Sequence, residues 1–458
     1  MFSKETYINR RAALKKALGA GVLLFPGNDE AGCNYAGNTY PYRQDSTFLY
    51  FFGQPYAGLS AVIDIDDDRE IIFGDELTMD DIIWMGTQPA LREKCFSAGI
   101  GELMSSGAIA DYLKKAQQKG QTVHYLPPYR PEHQLKLWRW LDVRPGEEQF
   151  SVDLVKAIVN MRNYKTAEEI AEIEKACLVT ADMHVAAMRA IRPDIREYEV
   201  VAAIKAVAGS HNCGLSFPVI ATVNGQTLHN HYHGNPVKSG DLFLVDAGAE
   251  TEMGYAGDMS STTPANHKFT ARQRDIYRIQ TAMHDASVAV LRPGVTFEEV
   301  YDISAKVMTE GLKNLGLMRG NTDDALAAGA YALFYPHGLG HMMGLDVHDM
   351  ENLGEVYVGY DGRPKSKQFG RASLRLARKL EPGFVHTIEP GVYFIPELID
   401  RWKSAGKFAD FINYDKVETY KDFGGIRNEE DYLITGTGAR LLGKRIPRTV
   451  EEVEAFCG

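Results

Sequence analysis

The stretch that decides the fold is DLFLVDAGAETEMGYAGDMSSTTP, residues 241–264. Its first part, 242–247, has the apolar and β-branched content of a strand. Residues 250–254 can turn, and 255–262 can return as a second strand. In such a hairpin Asp246 and Asp258 fall roughly opposite each other across a turn centred near Glu252. Directly opposed residues hold their β-carbons about 4.5–5.5 Å apart. Two carboxylates that close repel each other unless a proton or a cation sits between them. The plainer alternative is that one of the two is an exposed turn residue.

Working outward, three further runs carry polar groups where packing alone gives no reason for them. HGLGHMMGLDVHD (337–349) places His337, His341 and His348 among glycines. A single histidine in an apolar run is usually structural, whereas three in twelve positions point to a site, since imidazole serves both as ligand and as acid/base near neutral pH. TIEPGVYF (387–394) and GGIRNEEDYLIT (424–435) each set a glutamate in a strand-like run, where a charge is costly unless paired or on a metal. Alternation sends Arg427 and Glu429 to one face and Glu430 to the other. The bland reading of both runs is an edge strand with solvated carboxylates.

Asp246, Asp258, His341, Glu389 and Glu429 together make an oxygen-rich set without thiolate. Such a set suits hard or borderline ions such as Mn²⁺ better than structural zinc. Motifs of other chemistries are missing: there is no HExxH, no GxSxG, no Walker loop, and the glycines of HGLGHMMG do not form a dinucleotide fingerprint.

The remainder of the chain frames this set. With 458 residues, two domains are expected. In the first, GVLLF (21–25), STFLYFF (46–52), AVIDI (61–65) and EIIFG (70–74) read as strands, and 110–117 and 133–141 as helices. Arg10 and Arg11 before AALKKALGAGVLLF superficially suggest a signal peptide, but Lys15 and Lys16 interrupt the apolar run, and helix followed by strand is the better reading. Thr166 with Glu169 forms a capping box for a helix over 166–190. IRPDIREYEV (191–200) and LRPGVTFEEV (291–300) match in pattern one hundred residues apart. Either these are two independent helix starts, or a half-domain is duplicated about a pseudo-twofold axis, with a cleft between the halves. A formal charge of −11 (50 basic against 61 acidic residues) argues against nucleic acid or an anionic membrane as partner. Five scattered cysteines without metal spacing read as reduced thiols of a cytoplasmic protein.

The motifs resemble those of the aminopeptidase P and prolidase family of pita-bread metallopeptidases, over nearly the whole chain. YPYRQDSTFLYFFG (40–53) is similar to that family's amino-terminal domain, and everything from about Arg162 onward to its catalytic domain. The fold class implied is α/β (α+β): an N-terminal α/β domain, 1–155, followed by a pita-bread catalytic domain with pseudo-twofold halves, 156–458. The resemblance implies two divalent ions, Mn²⁺ with Zn²⁺ or Co²⁺ as alternatives. Asp246 would hold one, His341 and Glu389 the other, and Asp258 and Glu429 both; Glu389 would also be the general base. His337 would lie against the proline ring, His348 near the scissile carbonyl, and Arg427 would steady the ligands. His229 matches a further substrate-side histidine, with His231 and His233 as rivals. Trp84 in IIWMG resembles a tryptophan lent to the site by a partner subunit in a homodimer; it is equally a core or interface residue.

The activity implied is hydrolysis of the bond before proline in di- or oligopeptides. Arg375 and the long segment 394–423 resemble prolidases, which would make the chain an Xaa-Pro dipeptidase with Arg375 holding the free α-carboxylate. The alternatives are an aminopeptidase P acting on longer peptides, with Arg375 a surface residue, and, remotely, a non-catalytic binding protein on the same fold. Two departures from the pattern stand out. The Asp246–Asp258 spacing is one residue longer than in some members, and Asn428 replaces an aliphatic residue, with little effect expected because it faces away from the site.

Overall fold

The computed structural model describes residues 1–457. The chain forms two compact units, residues 1–162 and the rest from Asn163 onward. The helix Val152–Arg162 carries the chain to the end of the first unit, past the expected boundary at 155.

The first unit is built on a five-stranded sheet in the order Glu102–Met104, Arg69–Phe73, Ser60–Asp64, Val22–Pro26, Val123–His124. The helix Lys4–Leu18 precedes the strand Val22–Pro26, as read from the sequence, and it buries both Arg10 and Arg11. Arg11 donates to the carbonyls of Phe51 and Ala98 and pairs with Glu70 at 2.6 Å, so its charge is spent on internal acceptors.

STFLYFF is not a strand. Residues Ser46–Phe52 form a helix, with the Asp45 side chain accepting from the Phe48 N–H and Gly53 ending it in the left-handed region. All but Leu49 of its seven residues are buried. A short helix buried all round shows no polar stripe, so periodicity could not separate it from a strand.

In the second unit the helix Ala167–Ala190 begins at the predicted capping box, Thr166 and Glu169 satisfying each other's backbone N–H. It packs against Glu197–Ser210, and Ala271–Ala289 packs against Phe297–Asn314 in the same way. The sequence repeat is repeated in hydrogen bonds. Asp194 N–H donates to Val237 O and Val237 N–H to Ile195 O; one hundred residues on, Gly294 N–H donates to Leu380 O and Leu380 N–H to Val295 O. These bonds equate Val237 with Leu380. The same offset equates Gly240 with Gly383, both at positive φ (91° and 93°), and Asp246 with Glu389. Duplication explains this match in position; two unrelated helix starts would not.

Each half contributes a sheet. Leu242–Ala247 lies between Met259–Pro264 and Ile220–Thr222, and Glu430–Ile434 lies between Val385–Ile388 and Ala439–Leu441. Beneath the first, Phe243 and Val245 pack on Met183, Ala187, Val200 and Ile204.

Two details of register differ from expectation. The hairpin turns one residue later than Glu252, so Asp246 pairs with Ser260. The bridge Glu250↔Ala256 continues that register, which leaves Asp258 on the same face as Ser260 and diagonal to Asp246. Gly248 stands opposite Asp258, where a β-carbon would lie 1.9 Å from Gly257 O, so only glycine lets the strands close there. The run 424–435 is not one strand either. Gly424–Arg427 pairs with Gly391–Phe394, Glu430–Ile434 pairs with Val385–Ile388, and Asn428 and Glu429 form the corner.

Candidate metal centre

The corner and the hairpin meet. Glu429 N–H donates to Ser260 O at 3.0 Å, and Ser260 Oγ donates to Glu429 Oε2 at 2.7 Å. Asp258, His341 and Glu429 each offer a ligand atom, and these atoms lie within 4.8 Å of one another. His341 Nε2 is 3.3 Å from Asp258 Oδ2 and 3.7 Å from Glu389 Oε1. Its Nδ1 lies 3.1 Å from Met342 O, a bond that places the proton on Nδ1 and leaves Nε2 bare toward the carboxylates.

All five predicted ligands line one cavity of about 410 Å³, together with His229, His337, His348, Arg375 and Arg427. His231 lines it too, whereas His233 bonds Val219 O, so two of the three rival histidines face the site. Trp84 belongs to the other unit, on the helix Met79–Met85, where it is 85% exposed. The residues lining this cavity all come from the second unit.

Carboxyls this crowded and buried hold protons or cations among them. Burial raises the carboxyls of Asp258 and Glu429 well above the usual range, and the neighbouring carboxylates push them further in the same direction. Burial raises Glu389 as well. Arg427 is the cation at hand, and each of its guanidinium nitrogens is engaged: NH2 to Asp246 Oδ2 at 2.6 Å, NH1 to Tyr393 Oη at 2.9 Å, and Nε to Ser260 Oγ at 2.9 Å. Asp246 Oδ1 and Asp258 Oδ1 are buried without a hydrogen-bond partner. Such orphaned anionic oxygens beside a bare imidazole nitrogen fit hard or borderline divalent cations.

Around the ligands the side chains are held tightly. His337 is engaged at both ring nitrogens, Nδ1 with Gly338 O at 2.7 Å and Nε2 with Tyr393 Oη at 2.9 Å, and burial lowers it to about 3. It therefore presents a neutral ring face to the cavity. The His348 ring sits 4.0 Å from that of His341, and burial lowers it to about 4. Asn428 does face away, but it is far from idle: its side chain accepts from Thr262 N–H and Tyr277 Oη and donates to Gln280 Oε1, tying the corner to the hairpin and to the helix Ala271–Ala289.

Sequence reasoning missed Ser260 and Tyr393 as parts of this network. Both lie inside the quoted motifs, Ser260 two residues after Asp258 and Tyr393 four after Glu389. Strand alternation around a ligand is the signal that finds them.

Residues 171–436 match metallopeptidase family M24, and residues 7–124 match the aminopeptidase P N-terminal domain. The chain belongs to family M24. Relatives of this M24 chain include an Xaa-Pro dipeptidase of Homo sapiens, 30% identical over 95% of this chain and 88% of the relative. They also include an Xaa-Pro aminopeptidase of Escherichia coli (strain K12), 32% identical over 99% and 98%. Among solved structures, the aminopeptidase PepP of Pseudomonas aeruginosa superposes with a TM-score of 0.82 at 27% identity, covering 100% of this chain and 98% of that one. No helix among the described residues is long and apolar enough to cross a membrane.

Proposed function

We propose that this M24 chain hydrolyses the peptide bond before proline with two divalent ions, Mn²⁺ being the natural choice for the donor set. The observation that carries this reading is the convergence of four carboxylates, one bare imidazole nitrogen and four further histidines on a single cavity. The named activities of the two relatives above point the same way.

Asp246, Asp258, His341, Glu389 and Glu429 would hold the ions, His341 through its bare Nε2 and the carboxylates through their oxygens. When bound, the ions activate water and stabilise charge on the reacting carbonyl. The chain's own groups do the rest. Glu389, with its carboxyl raised by burial, is placed to take a proton from the attacking water. His337 offers its ring face to the substrate proline, since both of its nitrogens are occupied. His348 and His229 contact the peptide beside the reacting bond. Arg427 holds Asp246 and, through Ser260, Glu429.

Dipeptide specificity needs a cation for the free α-carboxylate. Arg375 lines the cavity, and the hydrogen bonds of its guanidinium use only Nε among the described residues, which leaves both terminal nitrogens for a carboxylate fork. We assign the chain as an Xaa-Pro dipeptidase on this basis. One observation favours the second reading, an Xaa-Pro aminopeptidase on longer peptides: Glu351 and Glu355 lie 3.3 and 3.8 Å from Arg375 Nε and already offset its charge.

Ala-Pro and Ala-Pro-Ala separate the two. A dipeptidase cuts the first, and Arg375→Ala raises its KM about 10- to 100-fold, the worth of one charged hydrogen bond. An aminopeptidase cuts the second, with KM indifferent to Arg375. The working unit we propose is a cytoplasmic homodimer. Its five cysteines are unpaired thiols, as a reducing compartment keeps them, and exposed Ile83, Trp84 and Met85 give the first unit an apolar face for a second copy.

A further inference from the structure

Two side chains of the cavity wall, His348 and Arg375, meet at one carboxylate that the reaction scheme above leaves without a task. Glu351 opens the short 3₁₀ turn Glu351–Leu353 directly after Met350, whose φ of 59° turns the chain back on itself. Asp349 N–H donates to Met342 O at 2.8 Å, and Glu351 N–H to His348 O at 3.2 Å, which holds the loop against the His341 segment. Below it Lys165 Nζ pairs with Asp349 Oδ2 at 2.9 Å, both side chains 1% exposed. The Glu351 side chain is thereby aimed at His348, three residues earlier. Its Oε2 is hydrogen-bonded to His348 Nδ1 and also lies 3.3 Å from Arg375 Nε.

The chemistry of that contact is constrained. The hydrogen bond from His348 holds the Glu351 carboxyl down at about 2, so at neutral pH the group is an acceptor only. Nδ1 of His348 must then carry the proton and donate it to Glu351. Arg375 Nε, although 3.0 Å from Nδ1, finds its acceptor in the same Glu351 oxygen. Glu355 does not share this task. It stands farther from Arg375, at 3.8 Å, and its other oxygen pairs with Lys365.

We propose that Glu351 is a positioning residue of this site: one carboxylate oxygen holds His348 by Nδ1 and Arg375 by Nε, so a single side chain sets both the imidazole beside the reacting carbonyl and the guanidinium at the far end of the peptide. The inference rests on the Xaa-Pro peptidase reading. It makes His348 present Nε2 to the cavity in a fixed orientation. It also makes Arg375 face the substrate with its terminal nitrogens, and it couples the two ends of substrate recognition.

The test is steady-state kinetics of the metal-loaded protein on Ala-Pro, with Glu351→Ala, Glu351→Gln, Arg375→Ala and the Glu351→Ala/Arg375→Ala double variant. Glu351→Ala lowers kcat/KM about 10- to 100-fold, as loss of a residue that orients a site group does. The loss falls on both kcat and KM, whereas Arg375→Ala acts chiefly on KM. Glu351→Gln, which keeps an acceptor oxygen, recovers part of the kcat. The double variant loses less than the product of the two single losses, by about fivefold or more, because the residues act through one contact. Metal content and melting temperature stay at the wild-type values in Glu351→Ala. Single losses that multiply, a Glu351→Ala enzyme within twofold of wild type, or metal lost together with activity would each overturn the proposal. A wild type that cuts neither Ala-Pro nor Ala-Pro-Ala overturns the Xaa-Pro reading and this inference together, one that cuts only Ala-Pro-Ala overturns the coupling to Arg375, and a wild type active on Ala-Pro matched by an equally active Glu351→Ala overturns the inference alone.

Discussion

Changing Glu429 to glutamine is expected to lower kcat/KM for an Xaa-Pro peptide by about 10³-fold or more while the protein stays folded. The shape is unchanged, and the amide oxygen can still accept from Ser260 Oγ, which bonds Glu429 at 2.7 Å. What disappears is one of the charges that would hold the proposed cations, and with it several kcal/mol of charge stabilisation in the reaction; each decade of rate corresponds to about 1.4 kcal/mol. Stability moves the other way. In the metal-free protein Glu429 is held against Asp258, Glu389 and Asp246, so neutralising it relieves repulsion. The metal-free variant should melt no lower than the metal-free wild type, and added Mn²⁺ should stabilise it far less. His341→Ala should lose activity similarly, since it removes the only imidazole among the proposed ligands. Activity of either variant within tenfold of wild type would contradict the assignment of these ligands.

The second large effect is in the pH dependence of stability after chelation. Asp258, Glu389 and Glu429 have folded-state values raised by burial, so between the unfolded value near 4 and the raised one the native state holds more protons than the unfolded chain. Stability from these groups is intact at low pH and is lost as pH rises through the folded values. His337 and His348, lowered to about 3 and 4, act in the opposite sense, but only up to the unfolded histidine value of about 6.5. The chelated protein is therefore expected to melt progressively lower as pH rises through the raised folded-state values of these carboxyls. With saturating Mn²⁺ the decline should flatten, because cations favour the ionised form; ligand at a hundred times its Kd adds about 2.7 kcal/mol. Parallel melting curves with and without metal across this range would remove the cation from the account.

Much of the site is legible in the sequence because each ligand breaks a local pattern. Asp246, Glu389 and Glu429 interrupt apolar runs, and His341 sits in a glycine-rich segment that cannot be a packed helix. The capping box at Thr166 and the repeat at 191 and 291 are equally local signals. What the sequence conceals depends on partners distant along the chain. Ser46–Phe52 is a helix buried at every residue but Leu49, which leaves no polar stripe to read. The hairpin register is set by a close approach at Gly248, which nothing in the local pattern announces. Asn428 reads as a neutral departure, yet it joins Thr262, Tyr277 and Gln280 from across the fold. No local pattern singles out Glu351, and the left-handed turn at Met350 aims it at His348 and Arg375.

The central claim, a metal-dependent cut before proline, is tested most directly by incubating the protein with Ala-Pro and Ala-Pro-Ala, and with Ala-Ala and Ala-Ala-Ala as controls, in Mn²⁺ and after chelation. The account predicts that at least one proline peptide releases free alanine in Mn²⁺, that the proline-free peptides are cut far more slowly, and that chelation stops the reaction until metal is restored. Cleavage that survives chelation, or that ignores proline, would contradict it.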